Sequence, residues 1–122
     1  MDGTDHVIRI AADESLQGLD EVEALVNRFD VVNIKLDKCG GLTEGLMIGE
    51  RARALGMKVM VGNMISTSWA MAPAFVLGQQ CDVVDLDGPI FLTRDRTTGV
   101  LYDAGLVRCS AAGGGAARRP AA

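Results

Sequence analysis

A strand-like segment in the first third of the chain carries charged residues where a buried strand would be apolar. From Val31 the segment reads VVNIKLDKCGG. Successive side chains of a strand point to opposite faces, so its polar residues share one face. These residues are Asn33, Lys35 and Asp37. A lysine on such a face can exchange a proton, because desolvation makes its neutral form accessible. We therefore predict that Lys35 faces an active site.

Two other strand-like segments end in carboxylates. Asp13 follows the first segment, and Asp85 and Asp87 end the fourth. The carboxyl ends of barrel strands form one mouth, where barrel enzymes place their chemistry. We predict that these carboxylates and Lys35 converge there. Ordinary alternatives are strand-end polarity for Asp13, a lysine reaching solvent from an edge strand, and solvated loop positions for the two later aspartates.

β-like and helix-like segments alternate along the chain. The β-like segments are Val7–Ala12, Val31–Leu36, Met57–Val61 and Val83–Leu86. The helix-like segments between them are Leu19–Phe29, Thr43–Leu55 and Ser68–Gln79. The strands begin about 25 residues apart, close to the repeat of a (β/α)₈ barrel, although a doubly wound sheet uses similar units. The polar strand faces favour the barrel, because a parallel sheet covered on both sides is apolar on both faces.

The predicted fold is therefore α/β, with four parallel βα units that make half of a TIM-type barrel. Thr43 is the expected N-cap of the second helix, and Pro73 fits the third helix only in its first turn. A small hairpin is expected after Pro89, with its turn near Thr98–Gly99.

Composition narrows the functional class. The net charge of −4 and the absence of a basic patch argue against nucleic-acid binding, and no apolar run is long enough to span a membrane. The three cysteines lack metal-ligand or redox spacing, which predicts a cytoplasmic location. We predict one domain over residues 1–107. The Ala/Gly/Arg-rich tail, residues 108–122, is predicted to be disordered.

Four motifs, taken in order, resemble the enolase superfamily. They are AADES, NIKLDKCGG, MVGNMISTSWAMAPA and VVDLDGP. They are most similar to those of the muconate-lactonizing and mandelate racemase-like group, and within it to dipeptide epimerases of the L-Ala-D/L-Glu type. The resemblance runs from about Val7 to Leu106. It implies that the half-barrel is the C-terminal half.

The resemblance also implies a role for each candidate residue. Asp13 matches one of three carboxylate ligands for Mg²⁺, and Lys35 matches one of two acid/base lysines on opposite sides of the substrate α-carbon. Asp85 and Asp87 match the pair that receives the ammonium group of a dipeptide. The pocket-lining positions are Asn63, Met64, Ile65, Ser66 and Thr67. Removal of an α-proton next to a carboxylate gives an enediolate, whose charge Mg²⁺ offsets.

The resemblance implies that part of the site lies outside this chain. The second lysine, the other two metal ligands and a capping domain are all expected upstream of Asp13. We therefore expect a dipeptide partner only when the missing half is supplied, and no activity from the chain alone. The alternative is a non-catalytic, truncated half-barrel that forms homo-oligomers through its open sheet edges. Asp37 and Lys38 are interpreted as loop charges and not as catalytic residues.

Overall fold

The computed structural model describes residues 7–109. A parallel four-stranded sheet has the order β1-β2-β3-β4. Its strands are β1 (Ala11–Ala12), β2 (Val31–Lys35), β3 (Lys58–Gly62) and β4 (Val83–Val84). The α-helices are α1 (Val22–Leu25), α2 (Leu42–Ala54) and α3 (Ser68–Gly78). Turns of 3₁₀ helix span Leu19–Glu21 and Gly88–Phe91, and an antiparallel hairpin joins β5 (Leu101–Asp103) to β6 (Leu106–Arg108). The predicted half-barrel of four parallel strands and a hairpin is confirmed.

One face of the sheet packs against the helices. In-register pairing places the fully buried side chains of neighbouring strands beside each other. They are Ala12, Val32, Ile34, Val59 and Val61. Gly45 on α2 allows close approach of helix and sheet, because a Cβ there would lie 2.5 Å from Leu36 Cδ2. The core therefore lies between sheet and helices, and the opposite face is left for polar residues.

Aspartates anchor the amino ends of two strands. Asp30, just before β2, accepts a 2.8 Å hydrogen bond from the Ile10 amide. Asp82, just before β4, accepts a 3.0 Å hydrogen bond from the Val59 amide and forms a 2.9 Å ion pair with Lys58. Both carboxylates satisfy backbone donors of the neighbouring strand. They therefore fix the strands at the end opposite to Lys35.

The strand and helix predictions differ from the structure mainly in the first unit. Only Ala11 and Ala12 form β1, whereas Val7 and Ile8 are exposed, so the predicted strand over 7–12 is too long. The predicted helix over 19–29 is also too long: α1 ends at Leu25 because Asn27 has a positive φ of 64°. The other predicted strands and α3 agree with the structure within two residues.

Three local predictions are wrong. Gly41, not Thr43, is the N-cap of α2, and its φ of 108° is one that only glycine readily adopts. Pro73 lies in the second turn of α3, where its missing N–H leaves the carbonyl one turn earlier without its helical donor. The hairpin turn lies at Ala104–Gly105, not near Thr98–Gly99, and both of its residues have positive φ, as in a type I′ turn.

The loop before the hairpin is hydrogen-bonded to the first residue of α3. Asp95 accepts a 3.0 Å hydrogen bond from the Ser68 amide and another from the Ser68 hydroxyl, and the Val100 amide donates to Ser68 Oγ at 3.0 Å. The hydrogen bond from the Ser68 hydroxyl, with those from the Ser68 and Arg96 amides, outweighs the effect of burial and holds the pKa of Asp95 below its usual value. Within residues 7–109 no helix is long and apolar enough to cross a bilayer. Residues 110–122 of the predicted tail lie outside the described residues.

Candidate active site at the carboxyl ends of the strands

Asp13 and Lys35 meet at the carboxyl ends of β1 and β2. Lys35 Nζ lies 2.8 Å from Asp13 Oδ2, and the lysine side chain is 19% exposed. Asn33, two residues earlier on the same face of β2, lies 3.4 Å from the same carboxylate oxygen through Nδ2. The predicted proximity of Asp13 and Lys35 is therefore observed. An ammonium group, a carboxylate and an amide share one partly desolvated position.

Lys38 is the fourth member of this cluster. Its Nζ lies 2.7 Å from Asp13 Oδ1 and 2.7 Å from the Asp13 carbonyl oxygen, and its side chain is 17% exposed. Lys38 lies in the turn after β2, in agreement with its interpretation as a loop charge, but its ammonium group is paired with Asp13 and mostly covered. The turn after β2, in which the Lys38 amide donates to the Lys35 carbonyl at 2.9 Å, brings this side chain back to the strand ends.

The two lysines determine the protonation of Asp13. Partial burial of the carboxyl acts to raise its pKa, but hydrogen bonds and charge from Lys35 and Lys38 outweigh it and hold the pKa below its usual value. Asp13 is therefore a carboxylate at neutral pH. Its two oxygens face different ammonium groups, Oδ1 facing Lys38 and Oδ2 facing Lys35.

A glycine on β3 makes room for this cluster. Gly62 pairs with Lys35 across the sheet. A Cβ at Gly62 would lie 2.9 Å from Asn33 Oδ1 and 3.3 Å from Lys35 Cε. Asn33 is 6% exposed, and its Oδ1 has no hydrogen-bond partner among the described residues. The face of the sheet opposite the helices, the inner face, thus keeps a free, buried acceptor beside Lys35.

Side chains also link the strand ends further along the sheet. Asp37 accepts a 3.3 Å hydrogen bond from the Met64 amide, which joins the loops after β2 and β3. Asn63 Oδ1 accepts a 3.4 Å hydrogen bond from the Gly88 amide, which joins the loops after β3 and β4. The predicted pocket-lining segment after β3 is therefore held on both sides. Within it, Ile65 is exposed and Ser66 half-buried.

Asp85 and Asp87 lie in a different setting. Both are exposed, and no hydrogen bond or ion pair within residues 7–109 joins either one to Lys35. They line a groove of about 330 Å³ against the hairpin, together with Tyr102. The structure places them at the correct end of the sheet, since the Asp85 amide donates to the Val61 carbonyl at 2.9 Å. Direct convergence with Lys35 stays a prediction.

Sequence comparison decides the family. The family model described as "Enolase C-terminal domain-like" matches residues 4–114, almost the whole chain. The chain belongs to this enolase family. The resemblance inferred from the four motifs is thus confirmed, as is the assignment to the C-terminal part of the barrel.

Relatives of this enolase-type chain include several named epimerases. It is 47% identical to the L-Ala-D/L-Glu epimerase of Escherichia coli over 90 residues, which are 74% of this chain and 28% of that protein. A crystal structure from Agrobacterium tumefaciens, described as an enolase family member with homology to dipeptide epimerases and with bound sodium and L-Ala-L-Glu, is 44% identical with a TM-score of 0.83. The match covers 88% of this chain and 33% of that one. The chain thus spans about a third or less of these relatives.

The donor set of the enolase-type chain does not by itself fit Mg²⁺. A dipeptide epimerase from Methylococcus capsulatus complexed with Mg is 34% identical, with a TM-score of 0.73, over 82% of this chain and 31% of that one. Within residues 7–109, however, no three carboxylate, histidine or cysteine side chains form a metal-binding group. Asp13 is a single carboxylate with an ammonium group at each oxygen. Mg²⁺ prefers octahedral oxygen coordination, which this arrangement lacks.

Tyr102 gives a testable property of the groove. Its hydroxyl donates to the Leu86 carbonyl at 2.5 Å. Burial first, then the charges of Asp87 and Asp95, raise the pKa of Tyr102 to about 12. In an unfolded chain a tyrosine ionises near pH 10. Between about pH 10 and about pH 12 only the unfolded chain releases the tyrosine proton. The contribution of Tyr102 to the free energy of unfolding is therefore complete below about pH 10 and is lost as the pH rises towards about 12.

We expect the free energy of unfolding to fall across that pH range and the Tyr102→Phe variant to lose this part of the dependence. Tyr102 is the single tyrosine of the chain, so tyrosinate absorbance reports its ionisation directly. Urea unfolding of both proteins at several pH values measures the effect. Ionisation of native Tyr102 near pH 10 would contradict the prediction.

Proposed function

We propose that this chain supplies one acid/base lysine and part of the substrate pocket of a dipeptide epimerase. The observation that carries the proposal is the placement of Lys35 on the inner face of β2, mostly buried and 2.8 Å from Asp13. The relatives named as epimerases support the reaction class. The chain spans only 28% of the Escherichia coli enzyme, so the activity belongs to the complete barrel.

In the proposed reaction Lys35 moves the α-proton of the substrate. Neutral Lys35 Nζ accepts the proton from the α-carbon, and the C–H electron pair enters the neighbouring carboxylate to give an enediolate. A proton returned from the opposite face inverts the carbon. We propose that the second lysine comes from the rest of the barrel. Lys35 alone can exchange the proton on one face but cannot complete the inversion.

Recognition of the dipeptide is assigned to the loops after β3 and β4. We propose that Asp85 and Asp87 receive the substrate ammonium group, because both carboxylates are exposed at the catalytic end of the sheet. Asn63, Ile65 and Ser66 are proposed to line the pocket. Their segment is anchored to Asp37 on one side and to Gly88 on the other, so it can hold a fixed shape.

The proposed Mg²⁺ dependence requires ligands from outside this chain. Asp13 stays a predicted ligand, and the Mg-bound relative supports a metal in the complete enzyme. Because the described donors do not fit the ion, the proposed role of this chain rests on Lys35 and on the pocket residues.

A graft tests the proposed function. In it, residues 7–109 replace the matching segment of the Escherichia coli L-Ala-D/L-Glu epimerase. In D₂O with L-Ala-L-Glu we expect α-deuteration of the glutamate residue and formation of the D-Glu epimer, both followed by NMR. Circular dichroism and thermal melting establish that the graft folds. A folded graft that neither exchanges the α-proton nor forms the epimer would refute the proposal.

The open edges of the sheet favour a second candidate, self-association without catalysis. On the edge strand β4, Val83 and Val84 are 46% and 48% exposed, and unpaired strand edges promote pairing between chains. Light scattering after size-exclusion chromatography gives the mass of the isolated chain. A discrete dimer supports this candidate, whereas a monomer or an indefinite aggregate counts against it.

A further inference from the structure

Lys38 is tied to its surroundings through both its backbone and its side chain. Its amide donates to the Lys35 carbonyl at 2.9 Å, within the turn that follows β2. Its ammonium group contacts two oxygens of Asp13, the carbonyl and Oδ1, each at 2.7 Å. A solvated lysine has no such fixed partners. Lys38 therefore joins the turn after β2 to the loop after β1.

The double contact restricts the orientation of Asp13. One ammonium group that bridges the backbone carbonyl and Oδ1 of the same residue limits rotation of the Asp13 side chain. The other carboxylate oxygen, Oδ2, then faces Lys35 Nζ at 2.8 Å and Asn33 Nδ2 at 3.4 Å. Charge-assisted hydrogen bonds of this length are among the stronger polar contacts in proteins. The position of the Lys35 ammonium group thus depends on Lys38 through Asp13.

We propose that Lys38 is a positioning residue for Lys35. It fixes the Asp13 carboxylate, and the Oδ2 atom of this carboxylate sets where Lys35 Nζ lies before substrate binds. The catalytic part of this inference rests on the proposed function, but the positional part concerns the chain alone. Misplacement of a reacting group by about 1 Å can cost about 100-fold in rate, so a residue that never touches substrate can control turnover.

A matched control exists at the other end of the sheet. Lys58 forms a 2.9 Å ion pair with Asp82, which also links neighbouring strands and is remote from the carboxyl ends. Lys58→Met removes another lysine–aspartate pair, one whose lysine is more exposed, at 48% against 17% for Lys38. Its effect measures what the loss of such a pair does to the fold alone.

The first test uses the full 122-residue chain labelled with ¹⁵N. Ion pairing slows exchange of a lysine ammonium proton with water, and the Lys35→Arg variant assigns the Lys35 signal. We expect Lys38→Met to speed exchange at Lys35 by about tenfold or more, as expected when a local structure opens more readily. Lys58→Met should leave it unchanged. Unaltered protection of Lys35 in Lys38→Met would overturn the proposal.

The second test uses the graft. We expect Lys38→Met to lower kcat by about 10- to 100-fold with a smaller change in KM. Lys38→Arg, which keeps the charge and can bridge both oxygens, should recover most of kcat, and Lys58→Met should keep the parent kcat. Equal losses in Lys38→Met and Lys58→Met would overturn the positioning role. An inactive parent graft, with Lys35 protection still dependent on Lys38, would refute the dipeptide epimerase and leave the positional inference supported.

Discussion

The Lys35→Met variant of the graft is expected to lose α-proton exchange by about 10²- to 10⁴-fold, the usual contribution of a positioned acid or base. Methionine keeps the length and apolar stem of the side chain but cannot carry a proton. The loss should appear in kcat, because Lys35 is proposed to act in the proton-transfer step itself. Deuterium incorporation followed by NMR measures the rate.

Two controls isolate the chemical effect of Lys35. Lys58→Met tests whether loss of any lysine–aspartate pair lowers activity, and its turnover should match the parent graft. Thermal melting of Lys35→Met tests the fold, which should persist because the apolar part of the side chain is retained. Turnover within about threefold of the parent would remove Lys35 from the role of acid or base.

Gly88→Ala is expected to destabilise the chain by about 1–3 kcal/mol, the usual cost of adding a methyl group where there is no room. A Cβ on this buried residue would lie 2.5 Å from the Met64 carbonyl oxygen and 2.5 Å from Asn63 Nδ2. The first of these atoms belongs to the backbone, so the loop after β3 must move. Urea unfolding measures the loss of stability in the full chain.

Gly49→Ala is the matched substitution with the opposite expected sign. A Cβ on Gly49 makes only ordinary contacts, the nearest at 3.5 Å, and the residue lies inside α2. Alanine in a helix interior is favoured over glycine by about 0.5–1 kcal/mol, so this variant should be more stable than the parent. Equal effects at Gly88 and Gly49 would show that the space beside Met64 is not limiting.

Sequence alternation predicted the central part of the site because it depends on short-range geometry. Asn33, Ile34 and Lys35 follow the two-residue period of a strand, and the regular spacing of the segments indicates parallel strands with a common carboxyl end. The Asp13–Lys35 pair follows from these two facts. No further long-range contact between side chains had to be assumed.

Features that depend on rotamers or on unusual backbone angles could not be predicted in the same way. The contact of Lys38 with Asp13 requires a turn that folds back over β2. Ala104 adopts a φ of 47°. The pair Ala-Gly does not predict such a turn, whereas Asn-Gly would. The first helix is short because Asn27 adopts a positive φ, which the apolar spacing of this segment does not reveal. The positions of the Asp85 and Asp87 side chains relative to Lys35 depend on loop geometry, which the strand pattern does not determine.

The aspartates at the amino ends of the strands have a consequence for divergence within the family. Asp30 and Asp82 hold neighbouring strands together at the end remote from Lys35. Folding contacts and candidate catalytic contacts thus occupy opposite ends of one sheet. Substitutions in the loops after β3 and β4 should therefore alter substrate choice and leave the hydrogen bonds of Asp30 and Asp82 intact. In such a half-barrel, mutations that change substrate preference need not disturb the hydrogen bonds that hold the strands together.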